Sequence, residues 1–452
     1  MTKPTELKRV LGLWDAVCVV VGAIIGVGIF FNPRDVAHVT GSAGGAMAAW
    51  SVGGLVALLG ALTFAELGRL RPRAGSQYHI LRDTYGRAPA FLFVFCNLTA
   101  VQAGGVAIIA IVCAQNLGVA LHGGDVSAAW VVAVATAMTW ALVIINVIGV
   151  RAGAGLQNAT VIAKLVTLTA LVVLAAAIEP GRGLPANGGP AAAPAAPLTF
   201  SMLFAGVTLT LFAYGGWQQG LWMAGEIVDA RRVLPRAILI GVAIVVAAYL
   251  SANWAYLDLL GFAGVAHARA LAAEAFSVGS PGFGRRVAAA AVAVSALGVL
   301  NAQFLTGPRL TWAMASDGQF FARFAQLDRR FATPAPAIVL LGLLATGLLV
   351  GLGLDRTDLL TTGVVVVDAA FFALTGLAVP LLRRRAGESP RGPGWIAAVA
   401  VVFALLELLA IVGSVLQKDM RLVAFTGIAW IGAAALTWLL LFRKARPAAG
   451  PL

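Results

Sequence analysis

Apolar runs of about 20 residues recur along the whole chain, and each is long enough to cross a bilayer as a helix. Charged residues make up only 11% of the 452 residues, against roughly 25% in an ordinary soluble domain. The pattern predicts an all-α polytopic membrane protein with twelve transmembrane helices. The predicted spans are 11–33, 43–67, 89–118, 128–150, 156–178, 199–225, 233–258, 286–307, 336–353, 358–382, 395–416 and 421–442.

The basic residues predict the orientation of these spans. Of the 32 Lys and Arg residues, 23 fall in segments on the side of the N-terminus, 8 fall on the other side, and Lys164 lies within a span. Because cytoplasmic loops are enriched in basic residues, both termini are predicted to be cytoplasmic. The net charge of +13 therefore reflects topology, and nucleic-acid binding is not expected. The abundance of Ala, Gly and Arg favours a bacterial inner membrane.

Two of the predicted spans are rich in glycine at their centres. The first contains GAIIGVGIF, with Gly22, Gly26 and Gly28, and the sixth contains LFAYGGWQQG, with Gly215 and Gly216. Each glycine inside a helix costs about 1 kcal/mol relative to alanine. Close helix packing is one explanation for such a span. Two interrupted spans at corresponding positions of two halves instead indicate a transporter built from inverted repeats.

The positions of these two spans predict the domain organisation. They begin two successive units of five spans, residues 1–178 and 199–382. Between these units, residues 179–198 are rich in Pro, Gly and Ala and are predicted to form an extracellular linker. Residues 395–442 would add two peripheral helices.

Several motifs resemble the amino acid–polyamine–organocation (APC) superfamily. GAIIGVGIF, followed by Asn32 and Pro33, resembles the first helix of that superfamily, and LFAYGGW resembles the sixth helix of its L-type amino acid transporter branch. Further similar segments follow in the same order and extend the resemblance over essentially the whole chain: 64–68, 72–78, 85–86, 234–238, 306–309 and 314–318. The resemblance implies a LeuT-like core of ten helices in two inverted repeats, with two peripheral helices.

The resemblance also implies a substrate site between helices 1 and 6. The substrate carboxylate would be received by Ala23, Ile24, Gly26, Val27 and Gly28. The ammonium side would be lined by Phe212, Ala213 and Gly215, with Phe212 as a gate; lipid or core contact is its alternative role. Many relatives carry Ser at the position of Val27, and L-type relatives often carry Asn at the position of Gln218.

Lys164 is the one basic residue near the middle of a predicted span. It lies too far from either end of that span for its ammonium to reach an interface, so it is expected to face the bundle interior. In relatives, a lysine here occupies the position that sodium fills in sodium-coupled proteins. The resemblance therefore implies a coupling or gating role without sodium. A structural role is the alternative, and proton exchange by Lys164 is left open.

Four further polar residues within spans are candidates for a functional role: Gln102, Ser295, Asp368 and Glu407. Hydrogen bonds between helices are the favoured role for all four. Proton relay is the alternative for the two acids, and bordering the site is the alternative for Gln102 and Ser295.

The predicted function is sodium-independent transport of an L-amino acid, by exchange or by proton symport. A transporter-like sensor, and a permease for a polyamine or other organic cation, are the alternatives. An enzyme is not expected, because no HExxH or GxSxG motif is present. No metal or cofactor is predicted. Residues 119–127 contain no cysteine, so no disulfide-linked heavy subunit is expected.

Overall fold

The computed structural model describes residues 7–178, 197–279, 282–352, 364–385, 394–416 and 421–443. Within these ranges the chain is almost entirely helical. The helices are α1 Leu13–Ile24, α2 Asn32–Thr40, α3 Ala43–Leu70, α4 Ser76–Tyr85, α5 Arg87–Cys96, α6 Ala103–His122, α7 Ala128–Val147, α8 Val150–Ala177, α9 Phe200–Tyr214, α10 Gln218–Trp222, α11 Ala230–His267, α12 Leu271–Gly279, α13 Gly284–Thr306, α14 Pro308–Ser316, α15 Ala335–Leu352, α16 Val364–Arg385, α17 Trp395–Leu416 and α18 Arg421–Thr437.

Among the described residues, nine helical segments are long and apolar enough to cross a membrane. Three shorter apolar helices accompany them: Leu13–Ile24, Phe200–Leu211 and Ala335–Gly351. The predicted all-α polytopic membrane class is therefore confirmed. Most of the predicted linker, residues 179–196, and residues 358–363 of the tenth predicted span lie outside the described part of the chain.

Several helices extend beyond the apolar runs that predicted them. α3 continues to Leu70, and α11 runs from Ala230 to His267 with a kink at Gly261, whose φ is +67°. The hydrophobic pattern marks only the part of a helix that lies in hydrocarbon. Polar turns can continue the helix into the interface, so the ends could not be read from the pattern alone.

The interrupted helix α1 lies at the centre of the bundle. It packs against α8, α11 and α13, and α13 in turn packs against α6 and α8. α13 is buried along most of its length, which its many Ala and Gly residues allow by permitting close helix approach. Backbone that leaves the helical pattern near α1 is therefore enclosed by protein rather than by lipid, as its unpaired polar groups require.

A buried ion pair joins α14 to the segment after α10. Arg309 follows the predicted span 286–307 and is one of the 23 basic residues predicted on the side of the N-terminus, but its side chain is fully buried. Its Nε and an Nη each donate a 2.9 Å hydrogen bond to the carboxylate of Glu226. The Glu226 carbonyl also accepts the backbone N–H groups of Val10 and Leu11. Glu226 thus fixes the start of the first predicted repeat against the second.

Replacing Arg309 with methionine is expected to lower the free energy of unfolding by about 3–5 kcal/mol, because Glu226 would remain as an unpaired buried charge. Thermal or denaturant unfolding in detergent micelles measures the effect. Arg285→Met is the matched control: its side chain is 59% exposed and its partner Asp125 is 93% exposed, so little change is expected. Equal stabilities of the two variants would contradict the prediction.

A second polar contact holds α4 against the end of α14. The carboxylate of Asp317 accepts a hydrogen bond of 2.8 Å from the Tyr78 hydroxyl and forms a 2.7 Å ion pair with Arg82. Burial alone would raise the pKa of Asp317, but the hydrogen bonds from Arg82 and Tyr78 outweigh burial and lower it. Asp317 is therefore ionised at neutral pH and links residues more than 200 positions apart.

Candidate functional site

The backbones of the two glycine-rich segments touch each other. α1 ends at Ile24, and a short 3₁₀ turn at Gly28–Phe30 precedes α2, while α9 ends at Tyr214 and α10 begins at Gln218. Gly216, with φ +132°, lies so close to α1 that a Cβ atom there would be 2.7 Å from the carbonyl oxygen of Ala23. Only glycine fits at this contact, because any side chain would separate the two segments.

Each segment presents backbone groups that have no partner among the described residues. The N–H groups of Val27 and Gly28 donate no such hydrogen bond, and both residues are only half-buried. The neighbouring N–H of Gly26 faces the Tyr249 hydroxyl. On the other segment, the carbonyl groups of Tyr214 and Gly215 accept none. The site therefore offers donors from one segment and acceptors from the other, which is the complement of a zwitterion.

Lys164 of α8 binds the end of α1. Its Nζ donates to the carbonyl oxygens of Gly22 at 3.0 Å and Ile25 at 2.6 Å, and the side chain is only 2% exposed. These carbonyls belong to the last turn of α1, where carbonyl groups have no N–H partner within the helix and the helix dipole is negative. Gly298 of α13 leaves the space, since a Cβ there would lie 2.7 Å from Lys164 Cε.

Two hydroxyl groups also hold the interrupted segments. The Tyr249 hydroxyl lies 3.0 Å from the carbonyl oxygen of Ile24 and 3.3 Å from that of Ala213. It can therefore donate a hydrogen bond to either of the two interrupted segments. Ser295 Oγ donates to the carbonyl oxygen of Gly26 at 2.9 Å. Sequence reasoning expected Ser295 to bond between helices, but it did not identify Tyr249. The available signal was a tyrosine in the apolar run of α11, which also contains Tyr256.

A cavity of about 210 Å³ lies beside these segments. Ala23 and Gly215, both predicted site residues, form part of its wall, whereas Ile24, Gly26, Val27, Gly28 and Ala213 are not among its described lining. The Phe212 side chain is outside the described residues. The other lining residues are Val101, Gly105, Ile109, Thr208, Leu211, Gly216, Trp217, Gln218, Gln219, Trp222, Val299, Gln303, Asp368, Ala369, Phe372, Glu407 and Ala410.

Glutamines form one polar part of this wall. Gln219 Nε2 donates to Gln303 Oε1 at 3.3 Å, and Thr306 donates to Gln219 Oε1 at 3.0 Å. Gln218 Oε1 accepts the N–H of Gly216 at 3.1 Å and so helps to hold the glycine turn. Of these residues, sequence reasoning had noted only Gln218, since the others form their hydrogen bonds across distant helices. The mostly apolar cavity with a few placed polar groups has the character of a small-molecule site.

Fold and site together define the class: a polytopic helical protein with two interrupted helices beside a mostly apolar cavity has the organisation of a membrane transporter. The sequence model of the amino acid permease family matches residues 11–440. The chain therefore belongs to that family, which confirms the predicted APC superfamily membership. Members of the family are transporters rather than enzymes.

Curated relatives agree with this assignment. The serine/threonine exchanger SteT of Bacillus subtilis is 30% identical over 421 residues, covering 91% of each chain. The human b(0,+)-type amino acid transporter 1 is 30% identical, covering 76% of this chain and 70% of the relative. The human Asc-type amino acid transporter 1 is 30% identical, covering 84% and 72%. These similarities identify an amino acid transporter of a cell membrane.

Proposed function

We propose that the chain is a sodium-independent exchanger of L-amino acids that works by alternating access. The observation that carries this proposal is the contact of Lys164 Nζ with the carbonyl oxygens of Gly22 and Ile25. In transporters with broken helices, unwound carbonyls of this kind coordinate a coupling cation. Here an ammonium that is part of the chain satisfies them, so no metal ion is needed at this position.

The substrate is bound by the unpaired backbone groups of the two segments. Its carboxylate is received by the N–H groups of Val27 and Gly28, beside Ala23, Ile24 and Gly26. Its ammonium meets the carbonyl end of α9, where Ala213 and Gly215 lie and where Phe212 closes over the substrate as a gate. The geometry in support is the adjacency of free donors and free acceptors across the contact at Gly216.

The topology we propose has twelve spans, with residues 1–178 and 199–382 as inverted repeats and 395–442 as peripheral helices. The nine long helical segments and the three shorter apolar helices among the described residues together supply twelve. Two of the three shorter helices, Leu13–Ile24 and Phe200–Leu211, belong to the interrupted spans. The excess of basic residues on one side supports a cytoplasmic position for both termini.

We further propose that transport needs no disulfide-linked subunit. One relative is named as a small subunit, of a large neutral amino acids transporter. All three cysteines of this chain are buried: Cys18, Cys96 and Cys113. None is available for a bond to a second protein.

Counterflow in proteoliposomes tests the function. Purified protein is reconstituted with unlabelled amino acid inside, and uptake of the labelled amino acid is followed with sodium replaced by choline. We expect uptake that needs the internal amino acid and is unchanged by removal of sodium. Uptake that collapses without sodium would contradict the role of Lys164. Binding without uptake would identify a sensor, and uptake driven by a pH gradient into empty vesicles would identify proton symport.

A further inference from the structure

Two carboxyl groups face the cavity from the last helices of the bundle. Asp368 of α16 and Glu407 of α17 both line it. Glu407 is 6% exposed and Asp368 is half-buried. The hydrogen bonds to neighbouring helices that the sequence favoured for them are not formed with any described residue, and neither has an ion-pair partner there. Unpaired acids at this depth in a membrane protein mark a substrate or ion pathway.

A third polar group on the same wall also lacks a partner. Trp217 lines the cavity and is 1% exposed, and its indole ring packs on Phe372 with ring centroids 5.8 Å apart. Its Nε1–H has no hydrogen-bond partner in the described structure. Buried polar groups in native proteins are nearly always paired. An orphan donor beside two orphan carboxyl groups therefore points to a polar ligand in the cavity.

The charge of the wall determines which ligand fits. No Lys or Arg is among the described lining residues, and the ammonium of Lys164 is held by the carbonyls of α1. An ionised carboxylate is costly in such surroundings unless a cation accompanies it. A carboxyl group without such a cation takes up a proton instead. A ligand that brings a positive charge would therefore be the partner that keeps Asp368 and Glu407 ionised.

We propose that Asp368 and Glu407 form a subsite for the cationic side chain of the substrate, so that the transporter takes dibasic amino acids such as L-lysine and L-arginine. This inference rests on the proposed function and names its substrate class. The cavity reaches from Ala23 and Gly215, beside the backbone site, to the two carboxyl groups. Apolar lining residues, among them Val101 and Ile109, suit the aliphatic stem of a long basic side chain.

Exchange of three labelled compounds tests the subsite. Proteoliposomes containing the full chain are loaded with unlabelled L-lysine or L-serine, and uptake of labelled L-lysine, L-serine and cadaverine is measured. We expect L-lysine to exchange faster than L-serine. Cadaverine carries two amines but no carboxylate for the N–H groups of Val27 and Gly28, so we expect it not to exchange. Exchange of cadaverine as fast as L-lysine would overturn the dibasic amino acid as substrate.

Variants test whether Asp368 and Glu407 determine the selectivity for L-lysine over L-serine. The double replacement Asp368→Asn with Glu407→Gln should lower the ratio of lysine to serine exchange at least tenfold, a difference of about 1.4 kcal/mol. Asp258→Asn, on α11 and outside the described cavity lining, is the matched control and should keep the ratio. Thermal unfolding with and without L-lysine reports folding and binding separately: the stabilisation by L-lysine should be lost only in the double variant.

The outcomes separate this inference from the function on which it rests. A double variant that keeps the ratio overturns the subsite. The subsite is also overturned if the protein exchanges L-serine but L-lysine is neither exchanged nor inhibits the exchange of L-serine. The proposed function as an amino acid exchanger would stand in that case. Absence of exchange for every amino acid tested overturns the proposed function itself.

Discussion

Replacing Lys164 with alanine should reduce amino acid exchange by roughly 100-fold or more. The substitution removes the donor to two buried carbonyl oxygens, those of Gly22 and Ile25. Each unsatisfied buried acceptor costs about 1–3 kcal/mol, and a loss of about 2.7 kcal/mol is a factor of 100. The cost falls on the end of α1, so the arrangement of the free N–H groups of Val27 and Gly28 would be lost with it. Counterflow in sodium-free proteoliposomes measures the loss.

Lys8→Ala is the matched control, since Lys8 lies on an exposed part of the chain and should be replaceable without effect. Gly298→Ala adds an independent variant that keeps the ammonium but places a methyl group against it. We expect Gly298→Ala to reduce exchange as well. Normal exchange by Lys164→Ala, in protein whose thermal stability matches the parent, would show that the ammonium is not required at α1.

Replacing Gly216 with alanine should impair both stability and transport. A φ of +132° is unfavourable for alanine, with a cost of order 1–3 kcal/mol. The new methyl group would also lie 2.7 Å from the carbonyl oxygen of Ala23, a backbone atom that cannot rotate away. The segments between α1 and α2 and between α9 and α10 would be forced apart. We expect at least a tenfold loss of exchange and a lower midpoint of thermal unfolding in detergent.

Gly347→Ala on α15 provides the comparison. No atom lies within 4 Å of a Cβ at that position, and the residue sits inside a helix. Alanine is favoured over glycine there by about 1 kcal/mol, so stability should be kept or slightly raised. If Gly216→Ala exchanged substrate as well as Gly347→Ala, the close approach of the two segments would have no role in transport.

The apolar runs and the glycine clusters of the sequence were enough to predict a polytopic membrane protein with two interrupted spans. Both are local properties: a span is an apolar run of set length, and an interruption is a cluster of glycines within it. Lys164 could be assigned to the bundle interior for a similar reason, since its distance from both ends of one helix ruled out the interface. Ala23 and Gly215 on the cavity wall followed from the family motifs.

Partners that lie far apart in the chain could not be predicted in this way. Arg309 falls in a predicted loop because the predicted span ends at residue 307, yet it is buried against Glu226, 83 positions away. Tyr249 gave only the weak signal of one polar atom in an apolar helix, and its two acceptors lie on other segments. Which face of a helix meets which neighbour depends on packing, and periodicity alone does not specify it.

The sequence by itself determined that this protein is a helical membrane transporter with two weakened helices and one buried lysine. The length of an apolar run and its glycine content are properties of one segment, so they can be predicted without knowledge of the tertiary structure. Only the tertiary structure decided which carbonyls Lys164 binds and that Asp368, Glu407 and Trp217 share one cavity without partners. The physical reason is that a buried polar group is defined by the atoms around it, and those come from helices distant in sequence.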